Sequence, residues 1–155
     1  MEILEQARDG FLISTDPARL QPDEIFAYLS RSYWAKGRSR EVVERALQGS
    51  LCFGLYLDGR QIGLARVVTD FATFAYLCDV YVLEEFQGRG LGKWMLSVVM
   101  AHPGLKNLRR FMLATRDAHS LYRQFGFTEL KTPERWMEAF NPPPVPQDAS
   151  EPRNA

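Results

Sequence analysis

Asp79-Val80-Tyr81-Val82-Leu83-Glu84-Glu85-Phe86-Gln87-Gly88-Arg89-Gly90-Leu91-Gly92 is the stretch that decides the fold. Its first part ends a strand-like run from Thr73 to Leu83 in which Asp79 is the only charge. Its last part opens a helix: Leu91, Trp94, Met95, Val98 and Val99 fall on one helical face. Between strand and helix stand three alternating glycines, Gly88, Gly90 and Gly92. Such a loop lets the backbone approach a ligand closely and take dihedrals closed to other residues. The helix after it begins with unpaired N–H groups and the positive end of a dipole, a combination that favours phosphate. Arg89 and Lys93 add full positive charges. The physical reading is a phosphate or pyrophosphate site on Gly88, Arg89, Gly90, Leu91, Gly92 and Lys93.

Spacing separates the glycine-loop families. A dinucleotide fingerprint needs G-x-G-x-x-G. Counted from Gly88 the third glycine would fall on Lys93, and counted from Gly90 it would fall on Met95, so both registers fail. A P-loop needs G-x-x-x-x-G-K-[ST]. Gly92-Lys93 fits its end, but Gln87 and Trp94 occupy the other positions. A nucleotide-binding module of either class is therefore disfavoured.

Working outward, Phe11 to Ser14 reads as a strand, and Pro22-Asp23-Glu24 starts a helix with Ile25, Phe26 and Leu29 on its apolar face. Residues 30–38 interrupt the pattern as a loop. Ser39 caps a second helix carrying Val42, Val43, Ala46 and Leu47, and Gly49 ends it. Leu51 to Leu57 and Gln61 to Val68 are strands joined by Asp58-Gly59, a hairpin signal. After the glycine-loop helix, closed by His102-Pro103-Gly104, come a strand from Arg110 to Thr115 and a short helix. Asp117 is placed to cap that helix, and Gly126 to end it. Phe127 to Leu130 and Arg135 to Phe140 read as two final strands. Hairpins combined with strand–helix–strand passages predict an α/β (α+β) domain, with a mixed, partly antiparallel central sheet flanked by helices.

The pattern Gln87-x-x-Gly90-x-Gly92 resembles the acyl-CoA motif of the GNAT N-acetyltransferase superfamily, and the run from Asp79 to Gly92 is similar to that family's fourth strand and loop. Leu121-Tyr122-Arg123-Gln124-Phe125-Gly126-Phe127 is similar to its helix ending in Tyr followed by Gly-Phe. The order of elements agrees from about Phe11 to Phe140. Residues 1–140 are therefore read as one GNAT acetyltransferase domain, and residues 141–155, with their prolines, as an extended or disordered tail.

The resemblance implies acetyl-CoA as co-substrate and direct transfer of its acetyl group to the primary amine of a small molecule or peptide. It implies that the pyrophosphate sits on the loop amides from Gly88 to Lys93, and that Gln87 belongs to the same motif. The pantetheine arm would lie along Val80, Tyr81 and Val82, where a backbone N–H polarises the thioester carbonyl. Tyr122 would give the thiolate its proton. Asp79 is a candidate base or substrate anchor, or else a core carboxylate paired with Tyr76 or an arginine, since its burial alone would be costly. Thr115 stands where many members carry an Asn against the pantetheine. Acceptor binding would come from the loop between the first two helices, where Tyr33 and Trp34 offer an apolar wall. Arg66 and Asp70 are weaker candidates, and Lys36, Arg38 and Arg40 read as a solvated basic face. His119 reads as a surface residue.

Composition narrows the classes. In the 155 residues, Lys plus Arg equals Asp plus Glu at 19 each, which leaves no excess positive charge for nucleic acid or anionic membranes. No apolar run is long enough to span a bilayer. The start lacks a signal-peptide pattern, so the expected location is cytoplasmic. Cys52 and Cys78 have no metal-ligand spacing; they read as buried free thiols, and no metal is expected. A homodimer is compatible with the exposed sheet edges. The competing function is a non-catalytic acyl-CoA-binding or regulatory domain on the same fold.

Overall fold

The computed structural model describes residues 1–142. Ten elements of regular structure build it: β1 (Glu5–Arg8), β2 (Phe11–Ser14), α1 (Pro22–Leu29), α2 (Arg40–Gln48), β3 (Leu51–Leu57), β4 (Arg60–Thr69), β5 (Phe74–Val82), α3 (Leu91–Ala101), β6 (Arg110–Leu113) and α4 (His119–Arg123), with short 3-10 turns between some of them. The strands form one mixed sheet in the order β1-β2-β3-β4-β5-β6. Neighbours from β1 to β5 are antiparallel, and β5 with β6 is parallel, the connection α3 makes possible.

Successive residues of β3 and β4 are buried, so both faces of the sheet are covered. Phe53, Leu55, Ile62, Leu64 and Val67 supply its centre, with Ile25, Leu29, Val43, Met95, Leu96 and Val98 packing from the helices. Helix α1 starts at Pro22 with Asp23 and Glu24 in its first turn. Its entry is fixed by a reciprocal pair: the Gln21 amide donates to Oε1 of buried Gln61, and the Gln61 amide donates to Oε1 of Gln21, at 2.8 and 2.9 Å. Helix α2 is capped by Ser39, whose Oγ accepts from the Val42 amide.

Two irregularities place the site. Between β4 and β5 the register passes from Leu64↔Tyr81 to Arg66↔Cys78, so β5 carries one extra residue. This is a β-bulge, and Asp79 within it has φ 49°, a conformation that Asp tolerates better than most side chains. The second irregularity is a parting of strands. Pairing of β5 with β6 runs from Phe74↔Arg110 to Leu77↔Leu113 and stops, while β5 continues to Val82. Among the described residues, Cys78 to Val82 therefore have no strand partner on the β6 side.

Several expectations are corrected. Strand β1 was not anticipated, because Glu5-Gln6-Ala7-Arg8 is exposed throughout and lacks apolar alternation. Its signal was the Asp9-Gly10 turn, with φ 51° and 83°. The final strands expected at Phe127 to Leu130 and Arg135 to Phe140 are absent: neither run pairs with the sheet, and Pro133–Arg135 forms a 3-10 turn. Asp117 does not cap α4; the N-cap is Ala118, and the Thr115 hydroxyl accepts from the Ala118 amide at 3.0 Å. Cys52 is buried, whereas Cys78 is only half-buried. The tail expected at 141–155 lies, beyond residue 142, outside the described residues.

Gly63 lies in β4 opposite Val82 of β5. A Cβ there would lie 2.8 Å from the Tyr81 backbone oxygen and 3.2 Å from the Leu55 side chain. Gly63→Ala is expected to lower unfolding stability by about 1–3 kcal/mol, the range for overpacking, in urea denaturation with an unchanged slope.

Candidate active site

The glycine loop is built to present donors. Gly88 and Gly90 have φ 80° and 75°, and Gly90 is the N-cap of α3 in the left-handed region. Among the described residues, no side chain caps this helix. Its first backbone bond runs from the Trp94 amide to the Gly90 carbonyl, so among the described residues the amides from Gly88 to Lys93 have no acceptor. Gln87 pins the loop in place, its Nε2 donating to the Val82 carbonyl at 2.9 Å, at the end of β5. Neither Arg89 nor Lys93 enters an ion pair among the described residues; Arg89 lies over the Phe86 ring at 5.7 Å.

Where β5 and β6 part, a cleft of about 430 Å³ opens, lined by Tyr33, Trp34, Arg38, Arg66, the β5 residues Tyr76 to Val80, the segment Leu113 to Ala118, and Tyr122. Asp79 is its electrostatic centre. The side chain is 2% exposed, and both oxygens are engaged. Arg66 Nε donates to Oδ2 at 2.7 Å, Arg38 donates to both oxygens at 3.0 Å, and Trp34 Nε1 donates to Oδ1 at 2.9 Å. Burial pushes the carboxyl pKa up, but the two guanidinium groups and the hydrogen bonds outweigh it and leave the carboxyl below its ordinary value. Asp79 is therefore held as a carboxylate.

The acetyltransferase (GNAT) domain profile matches residues 48–129, more than half of the chain. A Gibberella zeae protein named as an inferred acetyltransferase is 42% identical over 136 residues, which cover 74% of this chain and 77% of that relative. The chain belongs to the GNAT acetyltransferase family. A GNAT-assigned protein of Xanthomonas campestris, solved by crystallography, is similar in both sequence and fold: 48% identity and a TM-score of 0.84, over 88% of this chain and 96% of that one. A GNAT acetyltransferase of Elizabethkingia anophelis, crystallised with acetyl-CoA bound, shares the fold at 17% identity and a TM-score of 0.60, over 84% of this chain and 88% of that one.

Within this GNAT domain, the structure brings Asp79, Val80, Thr115, Tyr122, Tyr33 and Trp34 to one cleft. Gln87 to Lys93 form the loop beyond the end of the same strand. Tyr81 and Val82 are buried by their side chains, Tyr81 stacking on Tyr28 at 3.9 Å, so they can offer a ligand only their backbone. The Thr115 hydroxyl oxygen accepts from the Ala118 amide, which leaves its O–H free to donate to a ligand. Tyr122 is half-buried, and its ring meets Phe127 edge-on at 6.0 Å. Among the described residues its phenol oxygen has no hydrogen-bond partner. Burial, with Tyr33 nearby, raises the Tyr122 pKa above the ordinary phenol value. Cys78 lines the cleft, but burial pushes its thiol up to about 11, so it stands as a protonated thiol at neutral pH rather than a nucleophile.

Three arginines of the cleft exceed what the sequence foretold. Arg38 was read as part of a solvated face, yet it turns inward onto Asp79. Arg66 was a weak candidate and is the shortest ion-pair partner of Asp79. Arg116, with its guanidinium 3.8 Å from the centre of the Tyr33 ring, was not singled out at all. The one available signal was Asp79 itself: a carboxylate in an apolar strand demands cationic partners. Asp70 is outside the cleft. Its carboxylate accepts from the Ala72, Thr73 and Phe74 amides and holds a turn. No group of three or more His, Cys, Asp or Glu side chains gathers as a metal site among the described residues.

Asp79→Asn leaves Arg66 and Arg38 without their counter-charge. The expected loss is about 3 kcal/mol of unfolding free energy at neutral pH. The folded pKa of Asp79 is depressed, so its contribution is complete above the unfolded carboxyl value near 4 and drains as pH falls toward the folded value. The difference between wild type and variant in urea unfolding should therefore shrink in acid.

Proposed function

We propose that this chain catalyses direct transfer of an acetyl group from acetyl-CoA to the primary amine of a small molecule or peptide. The observation that carries the reading is the run of acceptor-free amides from Gly88 to Lys93, adjoining a β5 edge left open beyond Leu77. An anionic diphosphate fits the first, and an extended amide-bearing arm fits the second. Acetyl-CoA supplies the activated thioester and its thiolate leaving group. The chain's own residues do the rest. Arg89 and Lys93 add charge beside the amides, Gln87 holds the loop to β5, and the backbone of Val80, Tyr81 and Val82 orients the arm.

Tyr122 holds a proton at its phenol oxygen for the departing thiolate. Because its pKa is raised, it keeps that proton through neutral pH and contributes no falling limb to the rate below about pH 10. Asp79 acts as a positioning residue: it fixes Arg38 and Trp34, and with them the loop whose neighbouring Tyr33 and Arg116 wall the acceptor side. The amine's proton leaves through water rather than to Asp79, whose oxygens are occupied. That same occupancy is the one observation that favours the alternative, a non-catalytic acyl-CoA-binding domain.

CoA release measured with a panel of primary amines separates the two. The catalytic reading expects acetyl-CoA binding with amine-dependent release; binding without release for any amine supports the alternative. Tyr122→Phe should lower kcat about 10²-fold with acetyl-CoA affinity nearly unchanged. Gly90→Ala places a Cβ at φ 75°, a strain of about 1–2 kcal/mol, and should weaken acetyl-CoA binding about tenfold in calorimetric titration while the fold is retained.

A further inference from the structure

The cleft between β5 and β6 holds more positive charge than acetyl transfer itself uses. Among the described residues, its charged lining is Arg38, Arg66, Arg116, Asp79 and Asp117. Asp79 is fully committed, since it accepts from Arg66, Arg38 and Trp34. Asp117 is largely exposed and lies 3.6 Å from Arg116, a surface pair of little worth. Three guanidinium groups therefore face two carboxylates, and only the exposed carboxylate has oxygens to spare.

Each arginine keeps donors unspent among the described residues. Arg38 uses only Nη1, on Asp79, which leaves Nε and Nη2 on a side chain that is 30% exposed. Arg66 uses Nε on Asp79 and Nη1 on the Ser50 hydroxyl, which leaves Nη2. Arg116 makes no hydrogen bond; its guanidinium is held over the Tyr33 ring, 3.8 Å from the centre. A guanidinium held on its face by an aromatic ring still offers its edge, and that planar fork matches a carboxylate bidentately. Arg38 comes from the turn before α2 and Arg116 from the segment after β6, so two walls of the cleft present them. Tyr33, which carries Arg116, is also a neighbour of Tyr122. The anchor for an anion and the proposed acid thus share one ring, which suits a short acceptor.

We infer that this cleft recognises a primary amine that also carries a carboxylate, a small amino acid, with Arg116 and the unspent edge of Arg38 as its anchors. The inference rests on the transferase reading for the fate of the amine, and not for its binding. The amine nitrogen attacks the thioester carbonyl, and the C–N bond forms as the C–S bond breaks. The amine's proton leaves to water and Tyr122 protonates the thiolate, so the carboxylate is a handle that takes no part in the bond changes. The same positive field disfavours an ammonium against the free amine, and the free amine is the form that attacks. A diamine brings a second cation instead, and the buried carboxylate of the cleft has no oxygen left for it.

Initial rates of CoA release at saturating acetyl-CoA test this with glycine, β-alanine and 4-aminobutyrate, each against its primary amide, and with 1,4-diaminobutane. The amides are the less basic amines, so intrinsic reactivity at neutral pH favours them over the acids. The expected result is a kcat/KM for at least one acid about tenfold or more above that of its amide, with the diamine below both. Arg116→Gln changes a largely exposed side chain. It should bring the acid-to-amide ratio close to one through the KM of the acid, and Arg116→Lys should restore part of it; a damaged fold would lower both substrates alike. Ligand-observed NMR on the CoA-loaded protein reads the same preference without turnover. If no amine releases CoA, yet the acids bind in preference to their amides and Arg116→Gln abolishes that preference, the transferase reading fails and this inference holds. Amides or the diamine turned over as well as the acids overturn the inference and leave the transferase reading standing. A preference for acids that survives Arg116→Gln, or no preference in turnover or binding, also overturns it.

Discussion

A carboxylate placed in the middle of an apolar strand is the constraint on which the rest of this structure depends. Asp79 is buried, and an isolated buried charge is too costly to persist. Its neutralisation draws in Arg66 from β4, Arg38 from the turn before α2, and Trp34 from the loop after α1. Those four side chains tie the sheet to the segment between the two N-terminal helices. The bulge in β5 is the backbone counterpart: with φ 49° and one extra residue opposite β4, the strand is redirected at the point where β6 leaves it. Ion cluster, bulge and strand parting thus occupy one place, and the cleft opens there.

The second consequence runs along β5 to its end. A strand edge without a partner and a helix start without a cap are both unfinished in a folding sense, because each leaves backbone donors unsatisfied. Here they are adjacent, joined by a loop whose Gly88 and Gly90 sit at positive φ and whose Gln87 is bonded back to Val82. A ligand that is anionic at one end and extended and amide-bearing along the other completes both at once. The same argument treats Tyr122 and Cys78 differently. Each lines the cleft and has a raised pKa, but a phenol that keeps its proton suits an acid, whereas a thiol that keeps its proton makes a poor nucleophile.

Local chemistry was legible in the sequence, and distant pairing was not. The glycine loop could be read because glycine takes the positive φ of Gly88 and Gly90 most readily, and the β3–β4 hairpin because Asp58-Gly59 fits a tight turn. The strand β5, helix α3 and the Tyr122 segment followed from periodicity and from the family likeness. Arg38 could not be assigned, since its partner is 41 residues away and nothing in Lys36-Gly37-Arg38 shows which charge turns inward. Asp117 looked like a cap, but the Thr115 hydroxyl reaches the Ala118 amide instead. The segments at 127–130 and 135–140 have strand composition without strand pairing. Composition reports what a strand would bury, and not what lies beside it.

The central claim is that the loop amides and the open β5 edge form one continuous site. A crystal structure of this chain with acetyl-CoA tests it most directly. The account predicts the diphosphate within hydrogen-bond distance of amides between Gly88 and Lys93, the pantetheine arm along Val80 to Val82, and the thioester in the cleft shared by Asp79 and Tyr122. A diphosphate bound elsewhere, or an arm that avoids the gap between β5 and β6, would contradict it.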